Sequence, residues 1–126
     1  MKNYNGLTLA YIGDAYYELL VREYLIEIGY TKVNDLHKHA INFTSGESQA
    51  KFVDYFLDNN ILNDEEVEIY KKGRNQASSY RKNLSLAVYQ KATGFESLFG
   101  WLYFSKNFDR LMMLFEIIKN IVKSGE

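Results

Sequence analysis

No proline occurs anywhere in this 126-residue chain, so the residue most able to break a helix is missing from end to end. Apolar positions recur at helical spacing almost throughout. Leu9, Ile12, Tyr16, Leu19, Leu20 and Val21 fall largely on one stripe of a helix predicted over about 7–28, with Gly29 as its stop. A short helix is predicted over about 33–41, with Asn34 as its candidate cap. Thr44-Ser45-Gly46-Glu47 has the spacing of a capping box for a helix running to about Leu57, which Asn59-Asn60 ends. Asn63-Asp64-Glu65-Glu66 opens another in the same way, with acids at the positive helix end, and this one is predicted to reach about Lys72. Residues 73–80 are the best loop candidate. A further helix follows over about 84–104, with Gly94 as a point of interruption. The last spans about 107–124, with Leu111, Leu114, Phe115, Ile118, Ile121 and Val122 on its apolar face. No strand pattern survives beside these, and the expectation is an all-α fold of about six to seven helices.

The length suits one domain over 1–126 with a real core. Hydrophobic residues at 47% and charged residues at 25% are ordinary for a soluble globular chain. With no cysteine, disulfide scaffolds and thiolate metal sites are excluded, which is compatible with a reducing cytosol. The N-terminus lacks the apolar core and cleavage site of a signal peptide, and no apolar run approaches the ~20 residues that span a bilayer. The formal net charge is only −1, yet its distribution is uneven. Six acids and no bases lie between Asp54 and Glu68, whereas six bases and no acids lie between Lys71 and Lys91. Local potential governs phosphate binding more than net charge does. The plain alternative is a solvated basic loop.

Two carboxylates stand out by their setting. Asp14 lies in Tyr11-Ile12-Gly13-Asp14-Ala15, mid-helix, where aspartate has poor propensity and no capping use. Glu18 follows one turn on, on the same side. Glu96 sits between Phe95 and Phe99, with Thr93 and Gly100 on its own face. An acid among apolar residues is costly without a positive partner. Two packed helices each carrying one such acid suit Mg²⁺, which takes one or two carboxylates and fills its shell with water and phosphate oxygen. The plain alternatives are that Asp14 pairs with an arginine such as Arg110 and that Glu96 faces solvent. Most of the eleven tyrosines are expected in packing, with Tyr16, Tyr24, Tyr55 and Tyr103 at core or interface spacing. His37 and His39 lie two apart on a helix, face different ways, and are read as surface or packing residues rather than metal ligands.

These residues resemble a family. Ribonuclease III domains carry a signature close to E-x-x-E-F-L-G-D-A, and the chain reads Leu7-Thr8-Leu9-Ala10-Tyr11-Ile12-Gly13-Asp14-Ala15. A second segment close to D-x-x-E-A-L-x-G-A-x-Y is matched by Thr93-Gly94-Phe95-Glu96-Ser97-Leu98-Phe99-Gly100-Trp101-Leu102-Tyr103. Asp14 and Glu96 match the two central metal-binding acids, while Ala10 and Thr93 replace the two auxiliary ones. That substitution resembles the Mini-III ribonuclease branch, in which Ala and Thr occupy those positions in active enzymes. Leu36-His37-Lys38-His39-Ala40, Ser48-Gln49-Ala50, Gly73-Arg74-Asn75 and the run from Tyr89 to Glu96 resemble the same branch in the same order. The loop opening at Gly73 lacks the proline expected there. No double-stranded-RNA-binding domain is expected after Glu126, another trait of the branch.

The resemblance implies a homodimeric ribonuclease III endonuclease fold in the cytoplasm, with Mg²⁺ held by Asp14 and Glu96 as catalytic and metal-binding residues. It implies cleavage of double-stranded RNA to 5′-phosphate and 3′-hydroxyl ends, and maturation of the 23S ribosomal RNA precursor with a large-subunit ribosomal protein as a further partner. Lys71, Lys72, Arg74, Arg81 and Lys82 are the candidate phosphate contacts, and Asn75 is a candidate for a ribose hydroxyl or base edge. A non-catalytic RNA- or ribosome-binding scaffold on the same fold is the alternative, and retention of both acids argues against it.

Overall fold

The computed structural model describes residues 3–78 and 84–125. Six α-helices and no strand occur among the described residues: α1 (Gly6–Glu27), α2 (Val33–Thr44), α3 (Gly46–Asp58), α4 (Asp64–Gln76), α5 (Leu86–Phe104) and α6 (Phe108–Lys123). The central helix is α5, which packs against α1, α3, α4 and α6. Its sequence explains this. Between Lys91 and Lys106 the only charged residue is Glu96, so the helix is apolar on nearly every side and must be surrounded. Phe95, Leu98, Phe99 and Leu102 have no exposed surface. Each such side chain contributes roughly 1.5–3 kcal/mol by leaving water.

Tyr17 joins this core to α1. Its ring stands edge-on to Phe95 at 4.9 Å and to Phe99 at 5.2 Å, and its hydroxyl donates to the Phe43 carbonyl at 2.9 Å. Burial pushes the Tyr17 phenol well above its ordinary pKa, so it stays a neutral donor. Among the described residues the fully buried tyrosines are thus Tyr17 and Tyr70, while Tyr16, Tyr24 and Tyr103 are half-buried and Tyr55 is exposed. The buried stripe of α1 is rotated from its sequence expectation: Leu19 is 52% exposed, and Tyr17 and Leu25 take the inner positions.

Most helix ends follow the expected signals. Gly29, at φ 119°, closes α1 with Tyr30 N donating to the Leu25 carbonyl at 3.1 Å. Asn60 closes α3 at φ 52°. Asn63 and Glu66 form the reciprocal capping box of α4. Four expectations are corrected. Asn34 lies inside α2, whose cap position is Lys32 without a side-chain bond. The cap of α3 is Ser45 rather than Thr44, because the Ser45 hydroxyl is the group that receives the Ser48 amide at 3.1 Å. Gly94 does not interrupt α5, since it fits against the Tyr70 ring. Finally, α4 runs on to Gln76, so Gly73, Arg74 and Asn75 are helical rather than the start of a loop. Tertiary contacts extend it: Gly73 is buried against Ser97, and the Gln76 side-chain oxygen accepts the Gly6 amide at 2.5 Å.

Arg110 pairs with Glu66, not with Asp14. Its Nε and Nη2 donate to the two Glu66 carboxylate oxygens at 2.7 Å each, and Nη2 also donates to the Ile61 carbonyl at 2.6 Å. The hydrogen bonds to Glu66 raise the Arg110 pKa further. Only 1% of the Glu66 side chain is exposed, so deleting its charge strands a largely buried guanidinium. Glu66→Gln is therefore expected to lose roughly 3 kcal/mol of unfolding free energy in a urea titration. A loss below about 0.5 kcal/mol, the size of an ordinary surface substitution, would show the pair to be dispensable.

Candidate active site

The crossing of α1 and α5 creates the site. A methyl group placed on Gly13 would lie 1.8 Å from the Glu96 carbonyl oxygen, and one on Gly100 would lie 1.9 Å from the Leu9 carbonyl oxygen. Only glycine lets the two backbones touch at both points. Asp14 follows the first contact point and Glu96 is itself part of it, so both side chains emerge beside the crossing. Asp14 is exposed and Glu96 half-buried. Both line one open cavity of about 210 Å³, together with Glu18, Thr44, Gly46, Gln49, Leu84, Tyr89, Ala92 and Thr93.

The charge of that cavity is one-sided. Asp14, Glu18 and Glu96 supply three carboxylates, and among the described residues no Lys, Arg or His lines it. Glu18 is drawn aside by Arg22, whose guanidinium lies 3.2 Å from its oxygen. Among the described residues no three His, Asp or Glu side chains gather tightly enough to hold a metal alone. The fitting ion is therefore a hard cation that accepts one or two carboxylates and completes its shell with water or a substrate oxygen. Thr93 is buried, and its hydroxyl donates to the Tyr89 carbonyl at 2.9 Å, so only its oxygen lone pairs remain for the cavity. Ala10, the other replaced acid position, is buried and does not line the cavity.

The basic candidates are spread differently. Lys71 is exposed on the last turns of α4. Lys72 is engaged at home, donating to Asn3 Oδ1 at 2.9 Å and to the Tyr4 carbonyl at 2.5 Å. Arg74 lies over the Tyr70 ring at 5.7 Å and donates to Asn75 Oδ1 at 3.1 Å. Arg81 and Lys82 lie outside the described residues. His37 is exposed, and His39 stacks on Tyr30 with ring centroids 4.1 Å apart, away from the carboxylates.

A family model for the ribonuclease III domain matches residues 7–107, the span that holds both carboxylates and the crossing. The chain is 42% identical to the Mini-ribonuclease 3 of Enterococcus faecalis over 127 aligned positions, covering 99% of this chain and 96% of that protein. It is 52% identical to the Mini-ribonuclease 3 of Acholeplasma laidlawii over 98 residues, 78% of each chain. The chain belongs to the Mini-ribonuclease 3 branch of the ribonuclease III family. The crystal structure of protein FN1578 from Fusobacterium nucleatum superposes with a TM-score of 0.85 at 26% identity, covering 94% of this chain and 95% of that one. The two chains thus share one fold over nearly their full length.

Proposed function

We propose that this chain is a Mg²⁺-dependent endoribonuclease that cuts double-stranded RNA at the Asp14–Glu96 cavity. Family membership makes it an endoribonuclease. The observation that carries the site is the convergence of Asp14 and Glu96 on one open cavity whose lining, among the described residues, holds acids and no bases. A phosphate would be repelled from such a place unless a cation came between. Mg²⁺ bound there would polarise a phosphate oxygen and lower the pKa of a bound water. Asp14 and Glu96 would hold the ion, and the exposure of Asp14 leaves the cavity open to a duplex backbone. Water adds its oxygen to phosphorus, the bond from phosphorus to the ribose 3′-oxygen breaks, and the proton passes to that leaving oxygen. The products carry a 5′-phosphate and a 3′-hydroxyl.

The enzyme acts as a homodimer with one site per strand. A partly exposed aromatic cluster supports this reading. Tyr4, Phe104, Tyr103, Tyr16 and Phe108 touch ring to ring in that order, and Tyr11 nearby in sequence is 83% exposed. Contiguous apolar surface of this kind marks an association site. The natural substrate is the 23S ribosomal RNA precursor in the cytoplasm, with a large-subunit ribosomal protein as an assisting partner. Lys71 and Arg74 contact phosphates from the end of α4, with Asn75 toward a ribose and with Arg81 and Lys82 beyond it. Lys72 serves the N-terminus first.

The test is purified protein on a long RNA duplex with and without Mg²⁺. Metal-dependent cutting is expected, whereas a mobility shift without cutting in either condition would assign the scaffold role instead. Lys71→Ala, made at an exposed position, is expected to weaken duplex binding severalfold and to flatten its salt dependence by about one counterion. An unchanged affinity and salt slope would remove Lys71 from the interface.

A further inference from the structure

The lining of the cavity apart from its carboxylates has a chemistry of its own. Gln49, at the start of α3, is 3% exposed and lines the cavity, with its amide Nε2 donating weakly to the Thr44 carbonyl at 3.4 Å. Tyr89 lies in the first turn of α5, half-buried, and lines the same cavity. It shares a helix face with Thr93 and Glu96, at spacings of four and seven residues. At 1.5 Å per residue its Cα lies about 10 Å along the helix from that of Glu96. Among the described residues nothing pairs with its phenol.

The side chains of Gln49, Tyr89 and Thr93 are neutral. A wall built to hold phosphate draws on Arg and Lys, because those carry the charge that offsets the anion. A phenol and an amide instead each offer both donor and acceptor capacity without charge, which matches a ribose hydroxyl, itself both donor and acceptor. The carboxylates take the cation and the phosphate that it carries. The neutral lining at Tyr89, about two turns of helix away, would then stand beside the sugar of a neighbouring nucleotide. We propose that Tyr89 is a specificity-determining residue whose phenol hydrogen-bonds a ribose 2′-hydroxyl of the bound duplex, so that this cavity distinguishes RNA from other A-form duplexes. The assignment rests on the nuclease reading of the same site.

The test is a two-by-two cycle of binding constants, measured in Ca²⁺, a hard cation that can seat the phosphate at the carboxylates, with each duplex checked to remain uncut. The protein is wild type or Tyr89→Phe, which keeps the ring and removes only the hydroxyl. The duplex is ordinary RNA or the same sequence 2′-fluorinated on both strands, which keeps the A-form and every phosphate and removes the 2′-hydroxyls. One neutral hydrogen bond corresponds to about a threefold to tenfold change in affinity. Tyr89→Phe is expected to weaken binding of RNA by that factor and to leave binding of the fluorinated duplex unchanged, with thermal melting of the protein unaltered. An equal loss on both duplexes would overturn the proposal by making Tyr89 a phosphate contact or a support for the cavity wall. No loss on either would overturn it by removing Tyr89 from the RNA. Metal-dependent cutting by the wild type is scored separately. Its absence would end the nuclease reading without altering what the cycle says of Tyr89.

Discussion

Asp14→Asn is expected to reduce Mg²⁺-dependent cleavage of duplex RNA at least a thousandfold while leaving duplex binding without metal nearly unchanged. The side chain is exposed, so an isosteric amide costs the fold little. What it removes is one of the two carboxylates proposed to hold the ion, in a cavity lined by no His or Cys that could replace it. A metal that polarises the reacting phosphate supplies several kcal/mol of transition-state stabilisation, and about 4 kcal/mol is a factor of a thousand in rate. Glu96→Gln is expected to do the same from the other helix. The two losses should not add, because either alone empties the same site. Cleavage that persists within tenfold in either variant would take that residue out of the metal site. Loss of metal-free binding together with cleavage would point to a collapsed pocket instead.

The second large effect lies in the backbone rather than in a charge. Gly13→Ala places a methyl carbon 1.8 Å from the Glu96 carbonyl oxygen, a main-chain atom of a helix packed on four neighbours. Overpacking of a flexible side chain costs about 1–3 kcal/mol, and here no side chain is available to move. The helices must separate by more than an ångström. A melting temperature lower by about 10 °C or more is expected, which corresponds to roughly 3 kcal/mol in a domain of this size. Cleavage should fall about a hundredfold or more in whatever protein remains folded, because Asp14 and Glu96 move apart with their helices. A Gly13→Ala enzyme with unchanged melting and unchanged rate would mean that the two helices do not touch at this point.

The parts that were legible in the sequence are those that local chemistry dictates. Helix existence followed from the apolar period and from caps such as the Asn63–Glu66 box, which forms as its spacing requires. Asp14 was visible because aspartate in mid-helix has no structural use. Glu96 was visible because it is the single charge in a long apolar run. The parts that were hidden depend on partners remote in the chain. Gln76 caps α1 from 70 residues away, and Gly73 continues α4 because Ser97 packs on it, so the end of that helix could not be placed from its own residues. The choice of Tyr17 over Tyr16 as the core ring turns on the rotation of α1, which the Gly13–Gly100 contact sets and periodicity alone does not. Gln49 carried no local signal of its place in the cavity. Tyr89 did carry one, since it stands seven residues before Glu96 on the same face of α5.

Diffraction from crystals soaked in Mn²⁺, a stand-in for Mg²⁺ with an anomalous signal, tests the site most directly. An anomalous peak within coordination distance of the Asp14 and Glu96 carboxylates is expected, and it should vanish in the Asp14→Asn protein. A strong peak elsewhere, with none between those two side chains in crystals of protein that cuts RNA, would contradict the metal site on which the whole account stands.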